Sequence, residues 1–297
     1  SGITSFSPSD SELPDNHVGK IVADDDSRVW FSVLSSNKLI NGLYSYDGVS
    51  FQYFRSAGPV DPSVEKIHLC ESDTLFFLSD SGISQYDGVS VDAFYTGFDH
   101  ENEWHYQLAS VAGKNGVQWF YGAMGLKSFD GKEWSEYSDV VGIGGKTIVS
   151  CAVDLEKTVW FGTDRGAVSF NGTLWTIHDS ASGFIDGLVE CIICAPDGVL
   201  WFGTDQGLWT YTNRSWHFVE IPDCDYSSRV RSLCFDRSGS LWAAFYMGGV
   251  MTYDGGSWSD FLFENTGALQ VNDISADKHG NIWFGTYNFG VVRYIPD

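Results

Sequence analysis

The phrase KTVWFGTDRGAVSF at 157 to 170 returns as GVLWFGTDQGLWTY at 198 to 211 and, one residue longer, as GNIWFGTYNFGVVRY at 280 to 294. Aligned on the aromatic residue that opens each phrase, the chain resolves into seven copies anchored at Trp30, Phe76, Trp119, Trp160, Trp201, Trp242 and Trp283. From Trp119 onward the step is 41 residues each time. A catalytic motif is usually written once, so a phrase repeated over the whole chain marks a building unit.

A glycine follows each anchor, at Gly42, Gly82, Gly125, Gly166, Gly207, Gly249 and Gly290. Four residues past it comes an aromatic: Tyr46, Tyr86, Phe129, Phe170, Tyr211, Tyr253 or Tyr294. In five copies that aromatic leads into Asp-Gly or Asn-Gly, with Asp47, Asp87, Asp130, Asn171 and Asp254 first in the pair. Such pairs predict two-residue hairpins with positive φ at both positions. β-Branched and aromatic residues alternate with small or polar ones in four short stretches per copy, and helical periodicity is absent.

A period just above 40 residues with four strands per unit predicts an all-β fold. The expectation is a single seven-bladed β-propeller over residues 1–297, with four antiparallel strands per blade. The last copy stops after three strands, at GVVRYIPD, while ITSF at 3 to 6 has the pattern of WSDF at 258 to 261. Residues 3–6 are therefore expected as the outer strand of the last blade, closing the ring and removing an exposed edge. The anchor tryptophans are expected between adjacent blades.

Composition narrows the partners. Acidic residues outnumber basic ones 39 to 17, a formal net charge of −22, which disfavours nucleic acid and anionic lipid. No run of 18 apolar residues predicts membrane insertion, and SGITSFSPSD lacks the regions of a signal peptide. Of six cysteines, Cys191 and Cys194 form a C-x-x-C on a predicted strand, where residues three apart face opposite ways. That spacing is poor for zinc or a redox pair, and small buried hydrophobes are expected.

The pattern W-F-G-T-x-x-G-[LV]-x-x-[YF]-[DN]-G resembles the two-component regulator propeller repeat. The copies LFFLSDSGISQYDG and VWFSVLSSNKLINGLYSYDG depart furthest from it. The resemblance implies a periplasmic or extracellular sensor domain that binds a small molecule or glycan and signals through a partner such as a histidine kinase module. The chain is more distantly similar to streptogramin B lyase, which implies the alternative of a propeller enzyme using a His, a Glu and magnesium.

Function is expected where the copies differ, on the loops between second and third strands and on the connections into each next inner strand. The candidates for a ligand face are Trp104, His105, Tyr106, Arg165, Asp205, Gln206, Arg231, Tyr246, Tyr287, Phe289, Glu65 and Glu190. Aromatic platforms with scattered carboxylates, amides and an Arg suit a sugar or another polar small molecule. No catalytic residue, metal ligand or cofactor is assigned, because the seven histidines occupy unrelated repeat positions and no H-x-x-x-H, G-x-S-x-G or phosphate loop occurs. A non-catalytic ligand-binding module is thus the leading expectation, with a lyase- or hydrolase-like enzyme at the channel mouth and a protein-interaction scaffold as alternatives.

Overall fold

In the computed structural model the described residues are 2–24, 28–35, 37, 40, 42–54, 66–69, 75–79, 82–86, 91–95, 109–112, 117–122, 125–137, 143, 146–222, 228–261 and 270–296. Strand β1 (Gly2–Phe6) precedes the repeats. The first blade is β2 (Val18–Ala23), β3 (Val29–Val33), β4 (Gly42–Tyr46) and β5 (Phe51–Tyr53). The second is β6 (Lys66–Leu69), β7 (Leu75–Ser79), β8 (Gly82–Tyr86) and β9 (Val91–Tyr95). The third is β10 (Ala109–Ala112), β11 (Gln118–Gly122), β12 (Gly125–Phe129) and β13 (Trp134–Glu136). The fourth is β14 (Ile148–Val153), β15 (Val159–Thr163), β16 (Gly166–Phe170) and β17 (Trp175–His178). The fifth is β18 (Val189–Cys194), β19 (Leu200–Thr204), β20 (Gly207–Thr212) and β21 (Ser215–Val219). A further sheet holds β22 (Val230–Phe235), β23 (Leu241–Phe245), β24 (Val250–Tyr253) and β25 (Trp258–Phe261). The last repeat contributes β26 (Val271–Ala276), β27 (Ile282–Thr286) and β28 (Val291–Ile295), and its sheet runs β1-β28-β27-β26. The architecture is an all-β propeller of four-stranded antiparallel sheets.

The chain divides into two compact units, Ser1–Phe98 with Cys234–Asp297, and Asp99–Leu233. The boundary falls inside β22, so six blades lie whole within a unit, three in each, and the β22–β25 sheet is divided. The expected seven blades are corrected accordingly to six whole blades. A sequence period counts strand modules. How modules group into compact units depends on blade-to-blade packing, which the period leaves open. What β1 completes is one sheet, where Gly2 lies opposite Ile295 and Phe6 opposite Val291.

One aspartate organises each typical repeat. Asp154 lies six residues before Trp160. Its Oδ1 accepts the Glu156 and Thr158 amides at 2.9 and 2.8 Å, and its Oδ2 accepts the Trp160 indole N–H at 3.0 Å. Asp24 holds Trp30 in the same way, Asp236 holds Trp242 and Asp277 holds Trp283, at 2.8 to 2.9 Å. The donor is satisfied, so the rest of the indole can be buried, which contributes about 2–3 kcal/mol each. Each ring lies on the following blade of its own unit. Trp160 meets Phe202 and Tyr211 with centroids 5.7 and 5.0 Å apart, and Trp283 meets Tyr46 at 6.0 Å.

The glycine directly after Trp-Phe lets the next inner strand come close. A Cβ on Gly203 would overlap Cys191 Sγ and sit 2.8 Å from Val230 Cγ1, and one on Gly162 would sit 2.7 Å from Val189 Cγ1. Inner strands begin with a register shift, as between Val189 and Cys191 or Val271 and Asp273. Blades are tied there by side chains: Ser150 Oγ donates to the Val189 carbonyl at 2.9 Å, and Asn272 Nδ2 donates to the Val18 carbonyl at 2.7 Å.

The Asp-Gly turns differ from the expected two-residue form. Gly48, Gly131 and Gly255 have φ of 97°, 95° and 93°, whereas Asp47, Asp130 and Asp254 are not left-handed. Instead each carboxylate accepts two amides, as Asp130 Oδ1 does from Lys132 and Glu133 at 2.8 Å. The side chain mimics a backbone turn and removes the need for a second positive φ. Paired left-handed residues occur at Asn213 and Arg214, with φ of 50° and 63°.

His178 is a core residue, 5% exposed, with its ring 4.6 Å from that of Trp160 and Nε2 2.9 Å from Ser169 Oγ. Burial pulls its pKa from the ordinary 6.5 down to about 4, against a smaller opposing pull from the Asp179 carboxylate. The unfolded chain takes up this proton near pH 6.5 and the folded one resists it, so stability falls as pH drops from 6.5 towards 4. The loss is about 3 kcal/mol across that window. Urea denaturation at stepped pH should show this slope in the native chain and its loss in His178→Gln. In the same assay Gly203→Ala should cost about 1–3 kcal/mol, because the added methyl has no room between β19 and β22.

Candidate functional site

In the fourth and fifth blades the turns between second and third strands are built by threonine. Thr163 Oγ1 donates to the Gly166 carbonyl at 2.9 Å and accepts the Arg165 amide at 3.1 Å, and Thr204 does the same with Gly207 and Gln206. Asp164 and Asp205 then fasten each turn to the incoming connection. The Asp205 amide donates to the Leu188 carbonyl at 3.0 Å while its Oδ1 accepts the Leu188 amide at 3.1 Å, and Asp164 pairs likewise with Thr147. Asp205 is therefore a clamp within the edge. Arg165 and Gln206 occupy the exposed tips, and Lys146 Nζ donates to the Arg165 carbonyl at 3.0 Å.

Glu190 is paired with Arg229, whose Nε donates to Oε1 at 2.6 Å and whose Nη2 also contacts it. This ion pair neutralises the carboxylate that the sequence pattern offers as a ligand group. Arg231 follows as a half-buried residue of β22. Arg229 carries no signal in the repeat, since it precedes the periodic part of its strand.

The unit Ser1–Phe98 with Cys234–Asp297 presents a different edge. At the position of Asp164 and Asp205 the last repeat has Tyr287. Its amide keeps the bond to the incoming connection, donating to the Gln270 carbonyl at 2.9 Å, but its side chain is released from the clamp. The ring is 51% exposed and packs on His17 at 4.4 Å. Tyr246 and Met247, 39% and 66% exposed, occupy the corresponding turn of the β22–β25 sheet. Gln270 Nε2 lies 3.4 Å from the Tyr246 carbonyl and so links the two turns. Phe289 does not join this face; it packs partly buried against the core around Phe284 and Trp242.

Two buried amide oxygens of this unit, Asn16 Oδ1 and Asn272 Oδ1, have no donor among the described residues. Asn16 adjoins His17, and Asn272 lies two residues beyond Gln270. A buried acceptor without a donor costs about 1–3 kcal/mol, so both atoms favour a hydroxyl or water beside them. His17 and Gln270 were legible only as loop residues. Trp104, His105, Tyr106 and Glu65 lie outside the described residues.

Among the described residues no group of three or more His, Cys, Asp or Glu is placed to hold a metal. Cys151, Cys191, Cys194 and Cys234 form no disulfide among the described residues, and burial pushes Cys234 up to about 12. No helix of the described residues is long and apolar enough to cross a membrane.

Residues 267–288 match the two component regulator propeller model. This segment contains Gln270, Asn272, Asp277, Trp283 and Tyr287. Among solved structures, the extracellular domain assigned to a hybrid two component system of B. thetaiotaomicron is similar, with a TM-score of 0.77 and 18% identity over 98% of this chain and 41% of that one. Virginiamycin B lyase from Staphylococcus aureus gives a TM-score of 0.73 at 14% identity over 98% of both chains. PorZ of Porphyromonas gingivalis gives 0.72 at 13% identity over 96% of this chain and 47% of that one. At these identities the likeness is one of fold. The chain spans about two fifths of the first of these neighbours. No curated protein matches.

Asp205→Ala should lower stability by about 1–2 kcal/mol in chemical denaturation, because the Leu188 amide loses its acceptor. Asp205→Asn keeps the acceptor and should retain most of the stability.

Proposed function

We propose that the chain is a non-catalytic ligand-binding propeller of a sensor protein, acting outside the cytoplasm and coupled to a histidine kinase module or another signalling partner. Its ligand is a small polar molecule, a carbohydrate in the first instance. The observation that carries this reading is the replacement of the clamping aspartate by Tyr287, which leaves an exposed ring packed on His17, in a turn joined through Gln270 to the one that holds Tyr246 and Met247. Exposed aromatic faces stack on the apolar faces of sugars. The match at residues 267–288 and the fold of the two-component extracellular domains support the sensor role.

Titration of the protein with a panel of oligosaccharides, followed by calorimetry, should identify a binder. Tyr246→Ala with Tyr287→Ala should weaken that binder by about tenfold or more while the melting temperature stays near that of the native chain. Unchanged affinity in the double variant would remove this edge from consideration.

A further inference from the structure

Arg293 departs from a rule that the other tryptophan-anchored repeats keep. Across the second and third strands a small hydroxyl residue faces the anchor: Ser45 opposite Trp30, Ser128 opposite Trp119, Ser169 opposite Trp160, Thr210 opposite Trp201 and Thr252 opposite Trp242. Opposite Trp283 stands Arg293. Serine or threonine serves folding at those five positions, so the blade itself does not require a guanidinium in the middle of β28.

The arginine side chain is held on aromatic rings. Its Cζ lies 5.5 Å from the Trp283 centroid and 5.9 Å from that of Phe6, and these two rings are stacked at 6.4 Å with 15° between their planes. Attraction of the cation to the ring faces fixes the guanidinium and removes water from one side of it. Nε is buried and has no acceptor among the described residues. The terminal nitrogens are not buried, and among the described residues neither donates to an acceptor. Arg229, by contrast, is neutralised by Glu190. The charge of Arg293 is thus fixed, partly dehydrated and uncompensated among the described residues.

A second donor stands beside it. Thr4 of β1 lies directly opposite Arg293, so the two side chains share one face of the sheet. The Thr4 hydroxyl makes no hydrogen bond among the described residues. In the third blade the corresponding row, Trp119, Ser128, Ser135 and Tyr137, lines a cleft towards the fourth blade. In the last sheet Trp283, Arg293, Thr4 and Phe6 take those places, next to Tyr46 of the first blade. A planar fork of N–H donors and a hydroxyl on an apolar shelf match an oxyanion, which accepts two parallel N–H bonds and offers further lone pairs.

We propose that Arg293 and Thr4 bind the oxyanion of a small ligand, a carboxylate or a phosphate, in the cleft between the last sheet and the first blade. The formal net charge of −22 opposes every anion, so the expected affinity is about millimolar. Calorimetry of the whole chain at fixed ionic strength, with sodium phosphate or sodium acetate titrated against a sodium chloride background, tests the assignment. Binding of phosphate alone points to a phosphorylated ligand, binding of acetate alone to a carboxylate, and binding of both to a site that reads only the anionic fork; each supports the proposal.

Arg293→Thr should weaken the bound anion about tenfold or more, and Arg293→Lys, which keeps a cation over the rings but lacks the fork, about tenfold. Thr4→Val should weaken it about threefold with the arginine left in place. A guanidinium that only pins β1 onto Trp283 would lower the melting temperature of Arg293→Thr, yet the native chain would show no anion-specific heat. The paired Tyr246→Ala and Tyr287→Ala substitutions should leave this binding unchanged, which separates the test from that of the loop-edge ligand. The proposal is overturned if neither anion gives heat beyond chloride, or if Arg293→Thr or Arg293→Lys binds like the native chain.

Discussion

A carboxylate placed six residues before an indole, present in the repeats of Trp30, Trp160, Trp242 and Trp283, is the interaction on which those blades depend. The aspartate closes the turn between first and second strands with one oxygen and fixes the tryptophan N–H with the other. The indole thereby loses its only polar requirement and can be buried on the neighbouring blade. Turn geometry, rotamer choice and inter-blade packing are set by a single side chain, and a blade that carries it prepares the surface that the next one needs.

Where the arrangement changes, the consequences are local. The fifth repeat has Ala195 in place of the aspartate, and Trp201 is half-buried while Trp160, Trp242 and Trp283 are nearly inaccessible. The turn between second and third strands shows the same principle. Thr163 and Thr204 hold tight turns fastened by Asp164 and Asp205, but the last repeat lengthens the turn and substitutes Tyr287. Chemistry becomes available where a scaffold residue is relieved of its structural bond.

Four strands per sheet and their order within a blade were legible, because the hydrophobic alternation and the spacing from Trp to Gly to Tyr are periodic, whereas the number of blades was not. The grouping into two units was not, since the period is blind to how strongly one blade packs on the next. The site was legible in part. Tyr246 and Tyr287 stand out as departures from the repeat and are exposed, whereas Phe289 departs equally and is drawn into the core. Asp205 and Glu190 look like ligand groups by type, yet one binds Leu188 and the other Arg229. A polar side chain within reach of a backbone amide or a cation satisfies that group first, and sequence spacing does not reveal the competitor.

The acidic composition takes on a different meaning once the turns are seen. Asp47, Asp130 and Asp254 have pKa values held below the ordinary carboxylate range by the amides they accept, as does Asp236 through its serine, tryptophan and amide donors. Their negative charge is part of the turn geometry. A group with a depressed folded pKa stabilises the fold above its unfolded value and ceases to do so as pH falls through the folded one. For these aspartates that window lies below about pH 4. Protonation there weakens the same acceptor in homologous turns of several blades together, so acid acts on the repeat itself.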